Sequence, residues 1–252
     1  MSSDNKETDF GFKKVKASEK EKLVGQIFSS VADKYDFMND VMSFGIHRYW
    51  KAQFIENITK PDAKLIDVAG GTGDIAIKFI QQARLKGGVP EAYIVDINYD
   101  MLKLGKAKAI DNNILKNITF TQANAEKLPF ADNSFDYYTV AFGIRNMTNL
   151  SNVLNEAFRV LKPGGKFLCL EFSHVNSPLL KPIYDFYSFN VIPQMGHLVA
   201  GDKDSYQYLV ESIRRFPKQE EFASIIISSG FKNVKFENLN FGICAIHSAE
   251  KL

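Results

Sequence analysis

From Ala63 onward the sequence alternates two rhythms, and that alternation restricts the fold more than any other feature. "KLIDVAG" is a short apolar run ending in glycines, and "DIAIKFIQQARL" follows with helical spacing and Asp74 in its first turn. "AYIVDI", "DMLKLGKAKAID", "NITFTQAN", "SFDYYTVAF", "NLSNVLNEAFRVL" and "KFLCLEFS" continue the series, with "PGG" separating the last helix from the last strand. Parallel strands need long crossovers, and the intervening helices provide them. The expectation is a parallel sheet covered by helices on both faces, with right-handed crossovers. The end of the chain, "FKNVKFENLNFGICAIHSA", holds two more strands joined around Asn238–Gly242. So short a loop demands an antiparallel pair. Seven strands are therefore expected, six parallel and one reversed.

Around this centre the pattern changes. Residues 1–17 are polar, lysine-rich and without periodicity, which predicts a flexible tail. In "EKLVGQIFSSVADKYD" the apolar Val24, Ile27, Phe28 and Val31 recur at three- and four-residue steps, and Ser18 with Glu21 fits a capping box. Residues 18–60 are expected to form an N-terminal helical lid. Residues 177–229, punctuated by Pro178, Pro182, Pro193 and Pro217, are expected to form a helical region that covers the substrate. Both would belong to one domain spanning 18–252.

Composition excludes several classes. With 45% hydrophobic and 24% charged residues the chain has an ordinary globular make-up. A net charge of +2 without a dense basic block argues against nucleic acid as a partner. Cys169 and Cys244 lie in apolar runs and read as buried thiols; no Cys/His spacing fits a metal site or a disulfide framework. The polar N-terminus lacks the apolar core of a secretory signal. No run approaches the ~18–20 apolar residues of a membrane span. Many of the 21 Phe and 10 Tyr cluster at 184–208, where a minority could line a greasy pocket.

The strongest local motif is "DVAGGTGD", residues 67–74, where a strand turns through glycines into a helix. Glycine lets the backbone approach a ligand, and free N–H groups at a helix start favour an anion. Asp67, Gly71, Thr72 and Gly73 are the candidate cofactor residues of this turn. Asp96, at the end of the second strand, can accept hydrogen bonds from a ribose diol. Asn124 and Ala125, in "NAEKLPF" after the third strand, are placed to meet an adenine edge. The turn alone leaves three readings open. S-adenosylmethionine is one; a nicotinamide dinucleotide is another, since Gly71–Ala76 also satisfies G-x-G-x-x-A. The third is a tight structural turn. The long segment before the first strand and the closing hairpin weigh against the dinucleotide.

Two longer stretches carry a family resemblance. "YDFMNDVMSFGIHRYW" at 35–50 and "RVLKPGGKFLCLEFS" at 159–173 resemble the two signatures of the ubiquinone/menaquinone C-methyltransferases, the UbiE-type family. "GIRN" and "DSYQYLVESIRRFP" are similar to it too, so the resemblance runs from about residue 10 to the C-terminus. It implies a Rossmann-like class I methyltransferase fold in the α/β class, with S-adenosylmethionine as donor. It also implies C-methylation of a polyprenylated benzoquinol or demethylmenaquinol in ubiquinone or menaquinone biosynthesis. On the family's pattern Thr72, Asp96, Asn124 and Ala125 contact the cofactor. Ala141 departs from it, since many members carry serine there.

The end of the fourth strand, "VAFGIRNM", delivers Arg145 and Asn146 to the carboxyl edge of the sheet, where ligands bind in α/β folds. Both are candidate catalytic residues: Arg145 to stabilise a phenolate directly or through a water, Asn146 to orient the ring oxygen. The competing reading pairs Arg145 with Glu171 as a structural ion pair. His47 and Tyr206 are candidate substrate contacts, His47 also a candidate base. Tyr208 could equally be part of a helix stripe, and Tyr35 could cover the methionine end of the donor. The substrate's chemistry implies a peripheral membrane association, on the bacterial cytoplasmic side or the mitochondrial matrix side of an inner membrane. A quinone-biosynthesis complex and a homodimer are the protein partners left open. Two alternative functions remain at this level: an NAD-dependent oxidoreductase and a non-catalytic quinone-binding assembly factor.

Overall fold

The structure, a computed structural model, describes residues 7–31 and 35–252. The chain opens with a hairpin, β1 (Glu7–Phe10) and β2 (Lys13–Lys16), followed by the helices α1 (Ala17–Val31), α2 (Tyr35–Ser43) and α3 (Ile46–Glu56). The alternating part is β3 (Lys64–Val68), α4 (Asp74–Leu85), β4 (Glu91–Asp96), α5 (Tyr99–Asp111), β5 (Ile118–Gln122), β6 (Phe135–Ala141), α6 (Leu150–Val160) and β7 (Leu161–Phe172). A run of short helices, α7 (Lys181–Phe186) and α8 (Ile192–Met195), leads to α9 (Lys203–Arg215) and α10 (Gln219–Ser228). The hairpin of β8 (Lys232–Leu239) and β9 (Cys244–Glu250) closes the chain.

The seven strands order as β5-β4-β3-β6-β7-β9-β8, and only β9 runs against the rest. The six-plus-one arrangement expected from the sequence is what forms. β3 and β6 are neighbours, although two strands and two helices separate them in the chain. That is the point where strand order reverses and a crevice opens beyond the strand ends.

Side-chain alternation splits β3 between two cores. Leu65 packs with Trp50, Phe54 and Phe79 of α3 and α4 on one face. Ile66 and Val68 pack with Val153, Leu154, Phe222 and Ile226 of α6 and α10 on the other. A third cluster, Met38, Ile192, Tyr206 and Val210, joins α2, α8 and α9 above the carboxyl ends of the strands.

Three local expectations are corrected. The tail predicted over 1–17 is a hairpin across residues 7–16, held by tertiary contacts: Phe10 stacks on Tyr208 at 4.3 Å and the Phe12 N–H donates to Glu211 at 2.9 Å. The Ser18–Glu21 capping box does not form. Glu19 accepts from the Lys16 N–H instead, and Glu21 is left for another role. Finally, "PGG" does not precede the strand but lies within it. β7 starts at Leu161, and the register opposite β6 shifts around Pro163–Gly165, where Gly164 takes φ 76°.

Phe231 is fully buried between Phe158 and Phe167, with ring centroids at 5.2 and 5.4 Å. Phe231→Ala is expected to cost about 3–5 kcal/mol, read as a lower urea midpoint at unchanged slope.

Candidate active site

The cofactor cleft is built from strand ends. After β3 the chain passes through Ala69 at φ 51°, Gly71 at 52° and Gly73 at 76° before α4 begins. An added Cβ on Gly70 would lie 2.9 Å from the Asp67 carboxylate, so the turn wraps tightly over that acid. Asp67 is buried. It lines the cleft; its Oδ1 accepts from the Thr139 hydroxyl at 2.8 Å, the Ala76 N–H also favours its charged form, and its buried Oδ2 makes no hydrogen bond among the described residues. Burial pushes this carboxyl up to about 7, with the Thr139 hydrogen bond only partly opposing it. Across the cleft, Asp96 accepts from the N–H groups of Gly71 and Asn98, both at 2.8 Å, while burial pushes its carboxyl above the usual range.

The far wall comes from α1. Asn98 donates to the Gly25 carbonyl at 3.2 Å and to Ser29 Oγ at 3.0 Å, and Lys20 donates to the Met147 carbonyl at 2.9 Å. These bonds latch the helix across the strand ends. They also bring Glu21 to Asn124, whose amide donates to it at 3.0 Å.

A second cavity, about 690 Å³, lies between α2, α3, α9 and the end of β6. Met38, Met42, Trp50, Phe142, Phe172, Tyr184, Tyr187 and Ile213 make its lining largely apolar. Phe28, Lys51, Phe142 and Asn146 border both this cavity and the cofactor cleft, and so mark the neck between them. At the neck the Tyr208 hydroxyl donates to Asn146 Oδ1 at 3.0 Å. Asn146 Nδ2 is buried and has no acceptor among the described residues. Beside it, Arg145 pairs with Glu171 at 2.8 Å, donates to the Phe142 carbonyl at 2.5 Å and to Ser212 Oγ at 3.2 Å, and lies over the Phe172 ring. Burial raises the Glu171 carboxyl and the adjacent guanidinium opposes this.

The residues expected from the sequence sort clearly. Asp67, Gly71, Thr72, Asp96, Asn124 and Ala125 come together around the cleft. Gly73 does its work elsewhere: an added Cβ would meet Ile94 at 2.8 Å, so this glycine lets α4 pack on β4. Asn146 stands at the neck, and Arg145, His47 and Tyr206 line the apolar cavity. The structural reading of Arg145, paired with Glu171, is what the geometry shows. The Tyr35 side chain lies outside the described residues. Ala141 borders the cleft without a polar side chain.

Sequence reasoning missed Glu21, Lys51 and the Tyr208–Asn146 bond. Lys51 is buried at the neck and donates to Asp74 at 2.6 Å; Lys108 pairs with the same carboxylate. Burial pushes Asp74 up, yet the two lysines hold it well below the usual carboxylate range. One signal was available: Lys51 falls one helical turn after His47 on the buried stripe of α3.

Two strand ends, a glycine turn over a buried acid, a second acid accepting from backbone, and an apolar cavity joined at a neck define a class I S-adenosylmethionine-dependent methyltransferase. Solved structures share this architecture. A possible histamine N-methyltransferase from Thermotoga maritima aligns at TM-score 0.64 and 18% identity, over 90% of this chain and 99% of that one. A phosphoethanolamine N-methyltransferase from Haemonchus contortus, solved with S-adenosylhomocysteine, aligns at 0.57 and 17%, over 80% and 52%. The sequence profile of the ubiE/COQ5 methyltransferase family matches residues 14–251, and the chain belongs to that family. Curated relatives named ubiquinone/menaquinone biosynthesis C-methyltransferase are 55% identical in Rickettsia bellii, over 98% of this chain and 99% of the relative. They are 54% identical in Rickettsia prowazekii, over 97% and 99%.

The partnerless Asp67 Oδ2 and the glycine cradle fit S-adenosylmethionine, whose ammonium would restore the charge that burial suppresses. Below about pH 7 cofactor binding should then release a proton. Titration calorimetry at pH 6 in buffers of different ionisation enthalpy should detect it, and Asp67→Asn should abolish it. The same upward push on the Asp67 carboxyl has a stability consequence. Without cofactor, the chain loses stability as pH rises from the ordinary carboxylate range near 3.8 to about 7, because the unfolded carboxyl ionises first.

Proposed function

We propose that this chain methylates a ring carbon of a polyprenylated benzoquinol or demethylmenaquinol in ubiquinone or menaquinone biosynthesis. The observation that carries the reading is Asn146 Nδ2, a buried donor without an acceptor at the neck between a polar cofactor cleft and an apolar cavity. The names of the curated relatives support the same chemistry. Bound S-adenosylmethionine supplies a methyl group on a cationic sulfur. Asp67, Asp96 and the turn at Gly70–Thr72 would hold it, with Glu21 and Asn124 at the far end of the cleft. The apolar cavity holds the ring and the first part of its hydrocarbon tail, each buried CH₂ adding roughly 0.8 kcal/mol.

A quinol carbon becomes nucleophilic when a ring hydroxyl loses its proton. Asn146 Nδ2 donates a hydrogen bond to that oxygen, and the Tyr208 hydroxyl fixes the amide's orientation through Oδ1. Arg145 does not act as a free cation, since Glu171 matches its charge. Its part is the fixed dipole of the pair and the position of the residue that follows it. Methyl transfer to the ionised ring cancels charge, so a dry cavity favours the transition state over the separated ions. The enzyme incubated with labelled S-adenosylmethionine and reduced short-chain quinols should yield ring-methylated product by mass analysis. Asn146→Ala should lower kcat by about 10²-fold with unchanged S-adenosylhomocysteine affinity. Absence of product across benzo- and naphthoquinols would refute the assignment.

The substrate's tail partitions into a bilayer, and no helix among the described residues is long and apolar enough to cross one. A peripheral contact serves instead. Phe44 lines the cavity and is 83% exposed, and Ile183, Phe186, Leu198 and Phe241 are exposed on the segments around it. The protein should co-sediment with vesicles, and Phe44→Ser combined with Leu198→Ser should release it without changing cofactor affinity.

A further inference from the structure

Ser43 hydrogen-bonds in two directions. Its Oγ lies 2.6 Å from the Asn39 carbonyl oxygen, one turn back along α2, and 2.7 Å from His47 Nδ1. A carbonyl oxygen carries no proton, so the single hydroxyl proton must sit between Ser43 and Asn39. The proton between Ser43 and His47 can then come only from the imidazole. His47 is therefore the Nδ1–H tautomer when neutral, and its Nε2 carries a lone pair. His47 is 8% exposed and lines the apolar cavity with Asn146 and Arg145.

Resting on the function proposed above, we infer that His47 Nε2 is the general base that takes the ring hydroxyl proton of the quinol. The O–H bond breaks, the Nε2–H bond forms, and the electron pair stays on the ring oxygen. Once the ring carbon ortho or para to that oxygen has gained its methyl, its C–H proton leaves to water. The imidazolium returns its proton to the oxygen, restoring the aromatic hydroxyl, so each turnover releases one proton. The groups around the ring suit the task. Asp40 Oδ1 of α2 lies 3.8 Å from Nε2, too far for a direct hydrogen bond but near enough to stabilise the imidazolium. Arg48 is paired with Asp40, and Lys51 with Asp74 of α4, so neither cation stands unmatched against the ring. Arg145, across the cavity, is matched by Glu171. Burial, then Lys51, lowers the His47 ionisation, which leaves the ring neutral near pH 7.

The test begins with the unaltered protein. Of its four histidines, His47 should show the ¹⁵N shifts of an Nδ1–H tautomer, and an Nε2–H pattern would overturn the proposal. The methyl-transfer rate should rise with pH through a single ionisation below about 6.5, because the neutral imidazole is the active form. His47→Ala should lower kcat by about 10²-fold, lose that limb, and regain part of its rate with added imidazole. Its S-adenosylhomocysteine affinity should not change. Should His47→Ala fail to fold, Ser43→Ala carries the test: it should mix the two tautomers and lower kcat several-fold with cofactor affinity intact. Wild-type turnover with an unchanged pH profile in His47→Ala, or an unchanged kcat and a single tautomer in Ser43→Ala, overturns this inference alone. A wild-type enzyme that methylates no reduced quinol overturns the function and this inference with it.

Discussion

The buried ion pair between Arg145 and Glu171 decides the geometry of everything around it. Glu171 sits at the end of β7, and Arg145 follows the end of β6. The same guanidinium reaches the Phe142 carbonyl and the Ser212 hydroxyl of α9. Three elements are thereby fixed at one point. Asn146, the next residue, meets Tyr208 one helical turn before Ser212. A buried pair of this kind returns little net stability against a hydrophobic replacement, while removal of one partner strands the other's charge. Its contribution here is placement: the wall between cofactor cleft and substrate cavity is held by bonds with direction, where apolar contacts alone would allow sliding.

Electrostatics follow the same division. On the cleft side Asp74 is matched by Lys51 and Lys108, but Asp67 and Asp96 have no cationic side chain paired with them among the described residues. Burial pushes the Asp67 and Asp96 carboxyls above the usual range and so disfavours their charged forms, a penalty that a cationic cofactor relieves. On the cavity side each charge that reaches the lining has a partner, Arg145 with Glu171 and Lys51 with Asp74. One chamber thus selects a charged, polar ligand and the other a hydrocarbon-bearing ring. Among the described residues the two environments meet at the neck of Phe28, Lys51, Phe142 and Asn146.

Much of this was legible before the fold was known. The strand–helix alternation set seven strands and their directions, because the two periods leave different residues on the buried faces. "DVAGGTGD", Asp96 and Asn124–Ala125 were legible because local backbone chemistry, glycine turns and strand-end acids, encodes them within a few residues. The misses share a cause. The β1–β2 hairpin has no periodicity of its own and depends on Phe10 reaching Tyr208, almost two hundred residues away. Lys51 drew no reading from the sequence, and its role shows only where α4 brings Asp74 against it. Glu21 satisfied a capping motif on paper, yet α1 begins at Ala17, places Ser18 inside the helix and turns the Glu21 carboxylate toward Asn124.

The sequence by itself determined the layers, the strand directions, the glycine turn and the family, since each rests on short-range pattern or on long matched segments. Only the tertiary structure decided that Arg145 is charge-matched by Glu171 and that Gly73 serves packing against Ile94. Those depend on distances of a few ångströms between side chains. Such distances follow from how helices seat on the sheet, a property of the whole packed chain that no local stretch of residues carries.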